Sequence, residues 1–355
     1  MSGRNISNIN LRAVATAVPE HIVTGADFAA LFGENEAARI SKGTGIQSVR
    51  EGKGLKTSDL IIAACQSLFD SGVVGADEID GVVVTTQTPD SWSPGTSFAI
   101  QDRLNLAKDC FLTDITAGCA GYITALAQGS ALVSAGVCKK VLVCTGDITT
   151  QLIDERDRHV RMLFGDAASV TLIETGTDSI DFVSGADGSG SAALGVTVDY
   201  GTRTESTPLR TIGNLHMDGT AVMNFALATV PATIKDLCAA SDLQLDDIDL
   251  LVLHQANEFI INYLRRMIGI ASEKLPVDVD GLGNTSSTSI PYVLSRHENI
   301  GTAKAKSVVL CGFGAGLSWG AMRVDLSKMT SVAPVVVNAA NAARVTPPPA
   351  VTAAE

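Results

Sequence analysis

Cys119 lies in the run Thr116-Ala117-Gly118-Cys119-Ala120-Gly121-Tyr122. Small residues on both sides predict a tight turn, between an apolar strand at Phe111–Ile115 and a helix over Gly121–Ala135. A thiol at a helix N-terminus meets the positive end of the dipole and N–H groups without intrahelical partners. Both favour the thiolate, so this spacing predicts a lowered pKa and a nucleophile. The flanking glycines let a substrate approach the backbone, whose N–H groups can hold an oxyanion. The other six cysteines (Cys65, Cys110, Cys138, Cys144, Cys238 and Cys311) fall in or beside apolar strand and helix stretches and suit small buried hydrophobes. Seven is an odd number, the spacing is irregular and no CxxC occurs, so neither a disulfide framework nor a zinc site is expected. A reducing cytoplasm is the default.

Two further residues stand where a partner for a nucleophile belongs. His254 ends the apolar run Leu250–Leu253 and opens His-Gln-Ala-Asn. In α/β sheets ligands gather at the carboxyl ends of strands; a capping role at a strand end is the plainer alternative. His21, His159, His216 and His297 stand in polar stretches and read as surface residues. Asn284 follows Gly281-Leu282-Gly283 and precedes Thr-Ser-Ser-Thr-Ser. Gly-Asn is also ordinary turn chemistry, and Ser/Thr clusters also cap helices.

The elements that must position these residues alternate along the chain. Apolar, β-branched runs at Gly81–Thr86, Val141–Thr145, Val170–Ile173, Leu250–Leu253 and Ser307–Cys311 predict strands buried on both faces. Ala- and Leu-rich stretches at Ser58–Ser71, Gly121–Ala135 and Ala221–Ser241 predict helices between them, hence an α/β fold. The pattern repeats. Asp77-Glu-Ile-Asp80 leads into GVVVTTQ, as Asp246-Asp-Ile-Asp249 leads into LLVLHQA, an offset of 169 residues. Thr113-Asp-Ile115 and Val277-Asp-Val279 each precede a Gly-rich turn, with Asp114 and Asp278 164 apart. The runs from Lys140 and Ser307, 167 apart, both end in Gly turns. Three signatures in the same order at nearly constant offset imply two duplicated α/β halves, 1–175 and 176–330. Pseudo-symmetry then makes the Asn284 turn the counterpart of the Cys119 turn, and the His254 turn the counterpart of Thr85–Gln87, so one site can draw all three residues together. Residues 331–355, rich in Ala, Val and Pro without a period, are expected to be a disordered tail.

Composition narrows the classes. With 46% hydrophobic and 18% charged residues over 355 positions, the chain can bury a large core. A net charge of -12 argues against general nucleic-acid or membrane-surface binding. No run of 18 apolar residues and no apolar segment near Met1 is present, so neither a spanning helix nor a secretory signal is expected. HExxH, Walker A and a well-placed GxGxxG are all missing.

Taken together, the cysteine turn, HQAN at 254–257, GNTSSTS-IP at 283–291 and GFGAGLSWG at 312–320 resemble β-ketoacyl-acyl-carrier-protein synthase III, of the thiolase-like condensing enzymes. Leu163-Phe-Gly-Asp-Ala is similar to that family's FGDGA signature, and Gly43-Thr-Gly-Ile to its RTGI. The similarity spans roughly residues 10–325. It implies a layered αβαβα thiolase-like fold, an acyl-Cys119 taken from a coenzyme A or carrier-protein thioester, and decarboxylative condensation with a malonyl thioester. His254 and Asn284 would donate hydrogen bonds to the enolate, and the N–H groups of Cys119 and Ala315 would form the oxyanion hole. No metal or cofactor beyond the thioester substrates is implied. The alternatives are an acyltransferase moving the acyl group to a hydroxyl or amine, many members of which alter that His/Asn pair, and the coupling of two acyl chains.

The resemblance also places substrate contacts at Arg39, Trp92, Arg158, Phe164, Gly219 and Asn257, carrier-protein docking at Arg265 and Arg266, and a cytoplasmic homodimer. Several positions depart from the family pattern. Arg39 replaces an adenine-stacking Trp, Gly43 the RTGI arginine, and Glu258 an Arg often found after HQAN. Trp92, in the loop that caps the partner's acyl pocket, stands where Phe is common. Arg39 can stack or contact phosphate. A solvated helix face is the plain alternative for the arginine pair.

Overall fold

A computed structural model describes residues 3–199 and 211–342. Among the described residues ten strands form one sheet, and five take part in each half. In the first half these are β1 (Arg4–Pro19), β2 (Gly81–Thr85), β3 (Phe111–Ile115), β4 (Lys140–Asp147) and β5 (Ala167–Ala186). In the second, β6 (Leu250–Leu253), β7 (Val308–Gly314) and β8 (Ser318–Val324) extend the sheet, and β9 (Thr330–Ser331) and β10 (Val335–Val337) pair with β1. The order is β6-β7-β8-β5-β4-β2-β3. The strands expected at Gly81–Thr86 and Leu250–Leu253 form almost as read, while Val170–Ile173 is a small part of the 20-residue β5.

β5 serves both halves. Its first part pairs antiparallel with β4 (Ala167↔Asp147 to Glu174↔Lys140), and its last part with β8 (Asp181↔Arg323 to Ala186↔Ser318). β1 runs antiparallel along its whole length, with a register shift where Ile9 faces both Thr175 and Asp178. The boundary read at 175/176 thus falls inside a continuous strand, at a bulge that lets one strand change neighbours.

Three apolar clusters fill the layers. Alternation along β2 sends Val82 and Val84 toward α1 (Thr57–Asp70) and Val83 toward α2 (Gly121–Ser134). α2 and α5 (Ser289–Arg296) fill the middle layer, where Tyr122, Leu126, Ile290 and Leu294 meet Val143 of one half and Val252 and Leu310 of the other. α3 (Gly219–Ala240) and α4 (Glu258–Ile268) cover the far face on Leu253, Val309 and Ala321. Both faces of each half-sheet are covered, which is why these strands read as continuous apolar runs. The result is the expected αβαβα layering.

Two expectations change. Val277–Val279, the repeat counterpart of the strand end Thr113–Ile115, forms no strand, because Pro276 supplies no N–H and the backbone pairs instead with a side chain: Gln255 Oε1 accepts the Asp278 N–H at 2.8 Å. The expected disordered tail is ordered as far as Ala342. β9 and β10 lie parallel on β1, Val337 is buried, and a helical turn covers Ala339–Ala342. Val335 and Val337 bury surface against α1 while Val336 faces outward, and that burial offsets the ordering entropy. Residues 343–355 lie outside the described residues.

Candidate active site

Cys119 sits two residues before α2, with Ala120 as the cap, and is 5% exposed. The backbone N–H groups of Cys119 and Ala315 favour its thiolate. The approach of β7 is close: a Cβ on Gly314 would stand 2.6 Å from Cys119 Cβ and 3.1 Å from Sγ, so only glycine fits. That closure corrects the expected lowered pKa. Burial pushes the thiol up to about 12, outweighing the lowering influence of Ser286 and of the two N–H groups. The resting nucleophile is a protonated thiol.

His254 follows the end of β6, its N–H donating to Cys311 O at 2.8 Å. The ring is buried, edge-on to Phe313 with centroids 5.4 Å apart, and burial pushes its pKa down to about 3 against an opposing backbone contact at Ser286. It is neutral at physiological pH. Ser289 Oγ lies 2.7 Å from His254 Nδ1 and accepts the Gln255 N–H at 3.2 Å, which leaves its own O–H to donate to Nδ1. Nε2 then carries the ring hydrogen and is the donor. The Gln255 side chain fastens the turn, donating to Leu253 O at 2.7 Å and to Pro276 O at 3.4 Å.

Asn284 is held by the FGDA segment: its N–H donates to Leu163 O at 2.8 Å and its carbonyl accepts the Gly165 N–H at 3.1 Å. Gly283 takes φ +83°, and a Cβ there would meet Gly165 N at 2.9 Å, so the turn requires glycine. Asn284 Oδ1 accepts the Ser286 N–H at 2.9 Å, leaving its NH₂ to donate.

Cys119, His254 and Asn284 line one cavity of about 220 Å³ with Phe164, Gly219 and Asn257. Gly219 is the first residue of α3, and Asn257 caps α4, its Oδ1 accepting the Ile260 N–H at 2.9 Å. A second, polar cavity of about 280 Å³ shares Gly43 and Phe259 with the first and is lined by Lys42, Glu258 and Arg266. Arg39, Trp92, Arg158 and Arg265 lie outside both. Arg39 and Arg158 are tied to one carboxylate, with Glu36 Oε1 2.7 Å from Arg39 Nη2 and 3.1 Å from Arg158 Nε. Trp92 is exposed, Arg266 is exposed, and Arg265 is half-buried with its Nε enclosed and without a hydrogen bond.

One contact group escaped the sequence reading. Asp147 ends β4 beneath the cysteine, fully buried, and accepts from Gln87 N–H at 2.7 Å, Thr86 Oγ1 at 3.1 Å and Ser287 Oγ at 3.4 Å. Burial raises its carboxyl to about 6. A carboxylate ending an otherwise apolar strand, in KVLVCTGD, was the available signal.

A thiol, two neutral donors and two N–H groups around one enclosed point, on a layered αβαβα scaffold, define a thiolase-like condensing enzyme. Residues 113–202 match the 3-oxoacyl-[acyl-carrier-protein] synthase III family, and residues 238–326 match its C-terminal region. A β-ketoacyl-[acyl-carrier-protein] synthase III of Streptococcus sanguinis is 32% identical over 323 residues, covering 88% of this chain and 98% of that protein. The crystal structure of a 3-oxoacyl-(acyl-carrier-protein) synthase from Burkholderia xenovorans superposes with a TM-score of 0.86 at 29% identity, covering 94% of this chain and 99% of that one. A priming β-ketosynthase from a polyketide pathway superposes at 0.78 with 28% identity, covering 90% and 98%. The chain belongs to the β-ketoacyl-acyl-carrier-protein synthase III family. It is an acyltransferase that condenses acyl thioesters to β-ketoacyl products. Among the described residues no helix is long and apolar enough to cross a membrane.

Proposed function

We propose that Cys119 carries the acyl group and that His254 and Asn284 stabilise the enolate of a decarboxylating malonyl thioester. The observation that carries this assignment is the convergence of the thiol with two uncharged donors on one cavity. Cys119 attacks the acyl thioester, and the tetrahedral oxyanion is met by the N–H groups of Cys119 and Ala315. The malonyl thioester then loses CO₂ while its carbonyl oxygen accepts from His254 Nε2 and Asn284 Nδ2. Neutral donors suit this step, since they stabilise the developing charge without surrendering a proton. The carbanion attacks the acyl carbon, and collapse expels the Cys119 thiolate with the β-ketoacyl product. Coenzyme A or phosphopantetheine thioesters are the only cofactor-like groups in this scheme.

Phe164, Gly219 and Asn257 line the thioester's path, and Arg266 stands at its outer cavity. Arg265 supports the same helix, so carrier-protein docking falls on α4. Arg39 and Arg158 act on a coenzyme A donor only after exchanging Glu36 for its phosphates. The enzyme works as a cytoplasmic homodimer, in keeping with seven free thiols and with β3, a sheet-edge strand carrying exposed Phe111. Trp92 of each protomer then caps the other's acyl pocket. Halves 1–175 and 176–330 each contribute one side of the site.

Intact mass spectrometry after incubation with a panel of acyl thioesters tests the assignment. The expected adduct appears in the wild type and is absent in Cys119→Ala. Malonyl-carrier protein then releases CO₂ from the acylated enzyme. Acylation without CO₂ from any extender would overturn the roles given to His254 and Asn284.

A further inference from the structure

The segment after Asn284 is held residue by residue from elsewhere in the chain. Gln87 Nε2 donates to Ser286 Oγ at 2.8 Å, and Ser287 Oγ donates to Asp147 Oδ2 at 3.4 Å. The Thr288 and Thr145 hydroxyls lie 2.9 Å apart, and Ser289 Oγ meets His254 Nδ1 at 2.7 Å. Ser286 differs from the rest. It takes φ +53°, in the left-handed region that non-glycine residues rarely hold, whereas Ser289 opens the regular helix α5. Its N–H is also the group that Asn284 Oδ1 accepts at 2.9 Å, and that bond leaves the Asn284 NH₂ for the cavity. Whatever holds Ser286 therefore aims Asn284.

Gln87 reaches Ser286 from the other half of the chain, 199 residues earlier. It stands two residues past β2, where the repeat places the counterpart of the His254 turn. Its main chain is fixed. The Gln87 N–H donates to Asp147 Oδ1 at 2.7 Å, Thr86 Oγ1 donates to the same oxygen at 3.1 Å, and Thr88 Oγ1 accepts the Ile148 N–H at 2.8 Å. Its half-buried side chain lies across Gly118, where a Cβ would stand 2.8 Å from the amide carbon and nitrogen and 2.9 Å from the oxygen. So close an approach, beside Cys119, requires glycine at 118. One amide thus packs on the cysteine turn and bonds the asparagine turn.

We propose that Gln87 is a positioning residue for the condensation step, clamping the Asn284 turn to the Cys119 turn. This rests on the roles assigned above to Cys119 and Asn284. The clamp acts through Ser286. The bond to its hydroxyl stabilises a strained backbone, whose N–H in turn fixes Asn284 Oδ1 and keeps Nδ2 aimed at the enolate oxygen. Gln87 itself donates to no reacting atom. A donor already in place needs no reorganisation as charge develops, so loosening the clamp weakens decarboxylation. Acylation of Cys119 makes no use of Asn284 and depends on the clamp less.

Gln87→Met keeps the length of the side chain over Gly118 and removes the donor, and Ser286→Ala removes the acceptor. In each, CO₂ release at saturating malonyl-carrier protein should fall by about two- to ten-fold, the range of one hydrogen bond. Acylation of Cys119, and its alkylation by iodoacetamide, should change by less than about two-fold. The double variant should lose no more than either single one, since both remove the same bond. Hydrogen exchange at the peptide carrying Ser286, which needs no thioester, should quicken in both variants. Equal loss in both half-reactions, additive losses in the double variant or unchanged exchange would overturn the proposal. Failure of every thioester to acylate the wild type would instead sink the condensing assignment, and the exchange and alkylation measurements would still judge the clamp.

Discussion

The Asn284 side-chain oxygen accepts the Ser286 N–H at 2.9 Å, so the orientation of the amide is set by the backbone of its own turn. The NH₂ group is thereby left to the cavity. Asn284→Asp keeps the shape and this bond, but offers the enolate a carboxylate in place of a donor. Condensation should fall by about 10²–10³-fold while Cys119 still acylates. Separate measurement of adduct mass and CO₂ release checks this, and equal loss in both half-reactions would contradict it.

The Ser289 hydroxyl sets the tautomer of His254. Without it, Nδ1 of a buried neutral ring loses its partner, and the proton on Nε2 is no longer favoured. Ser289→Ala should cost one hydrogen bond of about 0.5–1.5 kcal/mol, roughly two- to ten-fold in the decarboxylation rate. The rate of Cys119 acylation should change less. The ratio of the two rates in one preparation is the measurement.

Glu36 binds both Arg39 and Arg158, so the two cations expected at the donor's nucleotide end share one carboxylate, which offsets one of their two charges. The arginine bonds hold the Glu36 carboxyl below its ordinary value. Glu36→Gln should free both guanidinium groups for phosphate. KM for an acyl-coenzyme A donor should fall by roughly two- to five-fold at low salt, and less at high salt. An acyl-carrier protein, which lacks the nucleotide, should show no such gain.

How much was legible depended on the range of each interaction. The turns carrying Cys119, His254 and Asn284 are written locally, in glycine spacing and at strand ends, and the duplication put them in register. Gln255 and Ser289 carried no local mark, because their partners Asp278 and His254 lie 23 and 35 residues away. The same gap explains the thiol. Its helix-end position is local and was read correctly, whereas the burial that outweighs it comes from Gly314, brought in by the other half of the chain. The valines at 335–337 carry strand propensity, yet the edge they extend is β1, more than 300 residues earlier.

Asp166 gives a pH dependence of stability whose sign follows from its surroundings. It is fully buried and accepts from Gly52 N–H at 2.7 Å and from Thr150 N–H at 3.0 Å and Oγ1 at 2.5 Å, tying two loops beneath Asn284. Burial still raises its carboxyl to about 7, against about 3.9 in an unfolded chain. The folded state therefore binds more protons between about pH 4 and pH 7. This contribution is fully present below the unfolded value and is lost as pH rises through the folded one. A shift of about three units corresponds to on the order of 4 kcal/mol across that window. Asp147, raised to about 6, acts in the same direction. Urea unfolding at pH 5 and pH 8 should show the wild type losing part of its stability with rising pH. Asp166→Asn should be less stable at both, since whichever way its amide turns the NH₂ faces at least one of the three donors, and its loss between the two pH values should be smaller. A pH difference unchanged by the substitution would assign the titration elsewhere.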